Sequence, residues 1–169
     1  MKKAAQFFKV SEKQFIQDFC TVHQGIGQEK AKESYEKIKL PKRATKGSAG
    51  YDIYTPASYT LKPGESARIP TGIRVKIEEG WFLSVFPRSG LGFKFRLQLD
   101  NTVGVIDSDY YFAENEGHIF VKVTNDSKEG KTMALEAGKA FCQGIFLEYG
   151  ITIDDETEGI RVGGLGSTS

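Results

Sequence analysis

Cysteine is nearly missing from this chain: Cys20 and Cys142 are the only two among 169 residues. Two thiols so far apart build no disulfide framework, and neither has metal-ligand spacing to His23 or His118. The expectation is a pair of reduced, partly buried thiols in a cytoplasmic protein. Long apolar runs are absent as well. Nothing approaches the ~20 residues that a spanning helix needs, which argues against a membrane partner. Near the start, Lys9, Glu12 and Lys13 interrupt Phe7-Phe8 and Phe15-Ile16, so no signal peptide is expected. Net charge is missing too. With 23 basic and 22 acidic residues the formal balance is +1. No global field favours duplex nucleic acid, and direct nucleic-acid binding is not expected. Any phosphate recognition must come from local placement of donors.

The length suggests one domain burying roughly 70% of its unfolded surface. Residues 1–40 differ in character from the rest. Phe7 to Val10 reads as a short strand. Ser11 with Gln14 three positions on is a capping-box signature, predicting a helix over about 12–20 with Phe15, Ile16 and Phe19 on one face. A second, highly charged helix is expected over 28–38, ended by Pro41. Together they read as a helical extension packed on a main body. From Lys42 the periodicity changes. Ile73-Arg74-Val75-Lys76-Ile77 alternates strictly, and strands are expected at 81–86, 97–105, 119–124 and 141–149 with turns at 62–65, 78–80 and 125–127. Short strands, regular turns and no interleaved helices imply an all-β sandwich, jelly roll or barrel. The organisation expected is an extension over 1–40, a β core over 41–157 and a glycine-rich arm over 158–169.

Several segments hold chemistry. Asn101 to Tyr110 ends an apolar run in a carboxylate, Asp107, with a phenol three residues later. Gly104 beneath them permits close backbone approach. By itself this is an ordinary polar hairpin tip, but an amide, a carboxylate and a phenol together also suit a pocket that reads a small polar ring and activates a water. Pro87-Arg88-Ser89-Gly90 reads as a turn exposing a guanidinium, a hydroxyl and backbone amides, a set suited to phosphate oxygens. Ala49-Gly50-Tyr51-Asp52 leads a small-residue turn into a carboxylate. Gln143 interrupts an apolar strand with an amide that needs partners. Arg161 precedes a run of glycines and hydroxyls through Thr168 that is not a Walker A loop, since no Gly-Lys-Ser/Thr is present.

The order of these segments is more specific than any one of them. Ala-Gly-Tyr-Asp, Pro-Arg-Ser-Gly-Leu, Asn-Thr-Val-Gly-Val-Ile-Asp-Ser-Asp-Tyr, Cys-Gln-Gly and Arg…Gly-Gly-Leu-Gly-Ser-Thr closely resemble the five ordered motifs of the trimeric dUTPase family, across roughly residues 38–169. The resemblance implies a jelly roll, a homotrimer with shared active sites, and hydrolysis of dUTP to dUMP and pyrophosphate with Mg²⁺. It implies that Asp107 is the general base and that Tyr110 packs on deoxyribose and excludes a 2′-hydroxyl. Asn101 and the backbone of Gly104 and Ile106 would read uracil. Arg88, Ser89, Gly90 and Gln143 would hold the phosphates. Asp52 would support Arg88 and the water shell of a metal that has no direct protein ligand. Arg161, Gly163, Ser167 and Thr168 would close on the γ-phosphate.

The chain also departs from the family pattern. Leu165 stands where a phenylalanine usually covers the uracil, which makes Leu165, Phe112 and Phe120 the candidate covers and makes the chain look like Gram-positive and phage-type members. Ala140 replaces an arginine, Val162 replaces a glycine, and the usual short Tyr-x-Gly becomes a longer stretch from Tyr110 to Gly117, expected as an enlarged hairpin. A related deaminase acting on dCTP would need a glutamate ending the strand after the tyrosine, and Phe120 to Thr124 supplies none. A nucleotide-sensing regulatory protein is a third reading, with residues 1–40 as the place for a protein partner.

Overall fold

The structure, a computed structural model, describes residues 2–159 together with Arg161 and Gly163. Leu165, Ser167 and Thr168 lie outside the described residues. The chain opens with strand β1 (Ala5–Lys9), helix α1 (Glu12–Val22) and helix α2 (Gln28–Glu36). Strands β2 (Lys42–Arg43), β3 (Tyr51–Tyr54), β4 (Tyr59–Leu61), β5 (Ser66–Pro70), β6 (Ile73–Ile77) and β7 (Trp81–Pro87) follow. After helix α3 (Ser89–Phe95) come β8 (Leu97–Leu99), β9 (Gly104–Ile106) and a 3-10 helix over Ser108–Phe112. Strands β10 (Phe120–Asn125), β11 (Met133–Leu135) and β12 (Ala140–Glu148) complete the body.

Every strand pair is antiparallel. The largest sheet has the order β2-β3-β12-β7-β9, and a second has the order β5-β10-β8. This is the expected all-β jelly roll. Alternation places the core: Ile73, Val75 and Ile77 are buried, Lys76 is exposed and Arg74 is half-buried on the opposite face, and Ile53, Ile69, Leu83, Val123 and Phe141 belong to the same core. Gly144 on β12 is required by packing, since a Cβ there would sit 2.7 Å from Leu83 Cδ1. The extension is woven into this body. β1 pairs along β6 from Ala5↔Ile77 to Lys9↔Ile73, and α1 buries Phe15 and Phe19. No helix among the described residues is long and apolar enough to cross a membrane. Both cysteines are free, Cys142 buried and Cys20 half-buried.

Three expectations are corrected. The strand expected over 97–105 breaks in two, because β8 pairs with β10 while β9 pairs with β7. The chain crosses between sheets at Asp100 to Val103, where Thr102 takes a left-handed φ of 68°. The stretch after Pro87 is not a plain turn. Arg88 caps α3, its carbonyl accepting from the amides of Leu91 and Gly92 at 3.1 and 2.9 Å. Gly90 and Gly92 concealed this helix, because glycine disfavours helical interiors. Finally, no hairpin follows Asp107. The Asp-Ser-Asp run opens the 3-10 helix instead, and turns carry the chain from there to β10.

Candidate active site

Strand order brings the phosphate-binding candidates together. β12 lies between β3 and β7, with Gln143 opposite both Asp52 and Phe86, and Cys142 opposite Pro87. Segments 91 residues apart in sequence, at Asp52 and Gln143, therefore meet beside the end of β7. They enclose a cavity of about 420 Å³ lined by Gly50, Asp52, Arg88, Ser89, Gly90 and Gln143, among others. Asp52 Oδ1 lies 3.2 Å from Arg88 Nε, which orients the guanidinium. Gly50 touches Gln143 so closely that a Cβ would fall 2.5 Å from Oε1, so any side chain there would displace the amide. The first amides of α3 have no carbonyl partner within the helix, and Ser89 and Gly90 at its start line this cavity. A cation, a hydroxyl, amides and one carboxylate make a surface for a polyphosphate.

The second half of the site is built on β9. Gly104 pairs with Val85, and a Cβ on Gly104 would sit 3.0 Å from Val85 Cβ, so β9 lies tight on β7. A cavity of about 480 Å³ here is lined by Asn101, Gly104, Ile106, Phe120 and Arg68, among others. The Arg68 guanidinium lies 4.3 Å from the centre of the Phe120 ring. Phe112 does not line this cavity. It is 73% exposed and packs edge-on against Tyr111. Asp107 sits at the start of the 3-10 helix with no capping hydrogen bond from its side chain, and its carboxylate is half exposed. Tyr110 is buried. Its hydroxyl donates to the carbonyl of His118 at 2.8 Å and accepts from Asn115 Nδ2 at 2.9 Å. Burial pushes its phenol up from the ordinary tyrosine value.

The structure places Arg161 against Asp107 and Asp109, at 2.7 and 2.9 Å, with its guanidinium 5.8 Å from the Tyr110 ring centre. Gly163 is half-buried nearby in sequence. The cavity at Arg88 and the β9 cavity share no lining residue. Sequence reasoning missed α3 and the supports of Tyr110 at Asn115 and His118.

Comparison with known proteins agrees with this geometry. The dUTPase family model matches residues 36–168. The deoxyuridine 5′-triphosphate nucleotidohydrolase of Lactococcus lactis is 40% identical over 134 residues, 78% of this chain and 88% of that protein. Its counterpart in Finegoldia magna is 42% identical over 137 residues, 76% of this chain and 90% of that protein. The crystal structure of dUTPase from Streptococcus mutans matches with a TM-score of 0.61 and 39% identity, over 69% of this chain and 90% of that one. The dUTPase of Staphylococcus bacteriophage 80alpha, at 19% identity, shares the fold over 95% of this chain and 91% of its own, with a TM-score of 0.65. The ordered segments, the antiparallel sheets that gather them and these relatives agree: the chain belongs to the dUTPase family.

Proposed function

We propose that Asp107 activates a water for attack on the α-phosphorus of dUTP, releasing dUMP and pyrophosphate. As a member of its family the protein is an enzyme, a dUTP diphosphatase. The observation carrying the mechanism is the placement of Asp107: an uncapped, half-exposed carboxylate at the end of β9, one residue beyond the cavity wall at Ile106. A carboxylate is ionised at neutral pH and can accept the water's proton. The water oxygen then bonds to the α-phosphorus, and the α–β bridging oxygen leaves with its electron pair as pyrophosphate. Protein catalysis of such a displacement is mainly positioning and charge stabilisation.

Asn101 and the backbone at Gly104 and Ile106 read the uracil ring, with Phe120 in the cavity wall and Leu165 as its covers. Tyr110 stands under the sugar. Arg88, Ser89, Gly90 and Gln143 bind phosphate oxygens. Arg161, with Gly163, Ser167 and Thr168, closes on the γ-phosphate. Its planar fork suits phosphate as well as it suits the two aspartates. Among the described residues no three His, Cys, Asp or Glu side chains gather into a metal site. The donor set fits Mg²⁺ that arrives with the substrate: phosphate oxygens and water as ligands, and Asp52 to hold that water. When bound, the ion neutralises charge on the phosphate chain.

The family resemblance implies active sites shared between subunits, and on that ground we place the two cavities, which share no lining residue, in one site contributed by different copies of the chain in a homotrimer. Residues 1–40 are then the extension, 41–157 the core and 158–169 the closing arm. Subunit mixing tests this arrangement. Asp107→Asn and Arg88→Ala are each expected to be nearly inactive alone. Mixed and reassembled one to one, they should recover about a quarter of wild-type activity, because one junction in four then carries both intact residues. No recovery in confirmed mixed trimers would mean that each chain builds its own site.

A further inference from the structure

Residues 8–18 of the extension and the segment 111–118 are about a hundred positions apart, yet they interlock. The main-chain amide and the hydroxyl of Ser11 both donate to the Glu116 carboxylate, each at 2.7 Å. The Phe8 and Tyr111 ring centres are 6.0 Å apart, and the Arg74 guanidinium lies 3.7 Å from the Tyr111 ring centre. Deepest in the contact is His118, fully buried. Its Nε2 accepts from the amide of Gly72 at 2.8 Å, and its Nδ1 lies 2.6 Å from Asp18 Oδ2. An amide only donates, so Nε2 carries the lone pair and Nδ1 donates its proton to Asp18. Gln14 Nε2 donates to the same Asp18 oxygen at 2.9 Å.

This cluster surrounds Tyr110. The phenol donates to the His118 carbonyl and accepts from Asn115, and Asn115 Oδ1 accepts from the Gly117 amide at 3.2 Å. Its polar end is therefore anchored to a residue whose side chain is held by α1. A surface that excludes an added hydroxyl by shape alone discriminates by only about 100-fold. Such exclusion depends on the ring being unable to retreat. We infer that α1 braces Tyr110 through the Asp18–His118 pair, and that Asp18 and His118 are positioning residues for discrimination between deoxyribose and ribose. This rests on Tyr110 being the sugar gate. The match to the family model begins at residue 36, so the α1 half of the brace, Ser11, Gln14 and Asp18, precedes the matched region while His118 and Glu116 lie within it.

The test is the ratio of kcat/KM for dUTP to that for UTP in the full-length protein, with melting temperature measured alongside. Asp18→Ala removes the acceptor of the His118 proton and should lower the ratio about tenfold, mainly by raising UTP turnover. Asp18→Asn keeps an acceptor oxygen and should restore the wild-type ratio. Leu61→Ala truncates a buried side chain of β4, opposite Met133 of β11 and outside the hydrogen-bond network of Tyr110, and should lower the melting temperature with no change in the ratio. If Asp18→Ala does not fold, Glu116→Ala severs the exposed Ser11 link and should shift the ratio the same way. Tyr110→Ala separates the two readings. If it lowers the ratio and the Asp18 and Glu116 variants do not, the brace is overturned and the gate stands. If it leaves the ratio unchanged, the gate is overturned and the brace with it.

Discussion

Asp107→Asn is expected to lower kcat for dUTP by about 10²- to 10⁴-fold while leaving KM within a few-fold of wild type, the usual range for loss of a general base. The substitution keeps size and hydrogen-bonding reach but removes the group that takes the proton. Water must then attack without transferring its proton to the enzyme, and the barrier rises by about 3–5 kcal/mol. Stability should hardly change. The carboxylate is half exposed, and its partner within this chain, Arg161, has Asp109 at 2.9 Å as a second anchor. Steady-state kinetics with a thermal melt check both halves. A variant retaining more than a tenth of wild-type kcat would remove Asp107 from the role of base.

Gly117→Ala should be the most damaging change in the segment after Tyr110. Gly117 has φ +68°, and a Cβ there would lie 2.6 Å from the Tyr110 carbonyl oxygen and 2.8 Å from Tyr111 Cα. Both obstacles are backbone, so no side chain can rotate away. The left-handed conformation alone costs about 1–2 kcal/mol for an L-residue. With the steric displacement added, a loss of about 2–4 kcal/mol is expected. For a chain of this size that lowers the melting temperature by roughly 5–15 °C. Gly130 is the internal control, since it has φ +69° and nothing within 4 Å of the added Cβ. Gly130→Ala should show the conformational cost alone. Equal melting temperatures for the two variants would mean that Gly117 is not packed against Tyr110 as described.

Much of the fold was legible because its signals are local. The alternation of Ile73, Val75 and Ile77 marks β6, and Ser11 marks the start of α1, where its hydroxyl accepts from the Gln14 amide at 3.1 Å. The reciprocal half of a capping box does not form. Gln14 turns to Asp18, and Glu116, 105 residues away, takes the Ser11 amide. No local pattern encodes such a partner. The same limit hid the bond from Asp18 to His118, which are 100 residues apart. The segment order singled out the residues proposed to bind phosphate, but the reason they meet is the position of β12 between β3 and β7, which pairing alone decides. At α3 the glycines gave a turn signal that tertiary packing overrode. The aromatic candidates separated only in three dimensions, with Phe120 in the cavity wall and Phe112 on the surface.

The most direct test of the account is pyrophosphate release by the purified protein with Mg²⁺ and, separately, dUTP, dCTP, dTTP and UTP. A site that pairs the uracil edge, fits closely at the 5-position and rests the sugar on Tyr110 should turn over dUTP rapidly and the other three at least about 100-fold more slowly. Comparable release from dCTP or UTP would contradict the uracil and deoxyribose recognition assigned to Asn101, Gly104 and Tyr110.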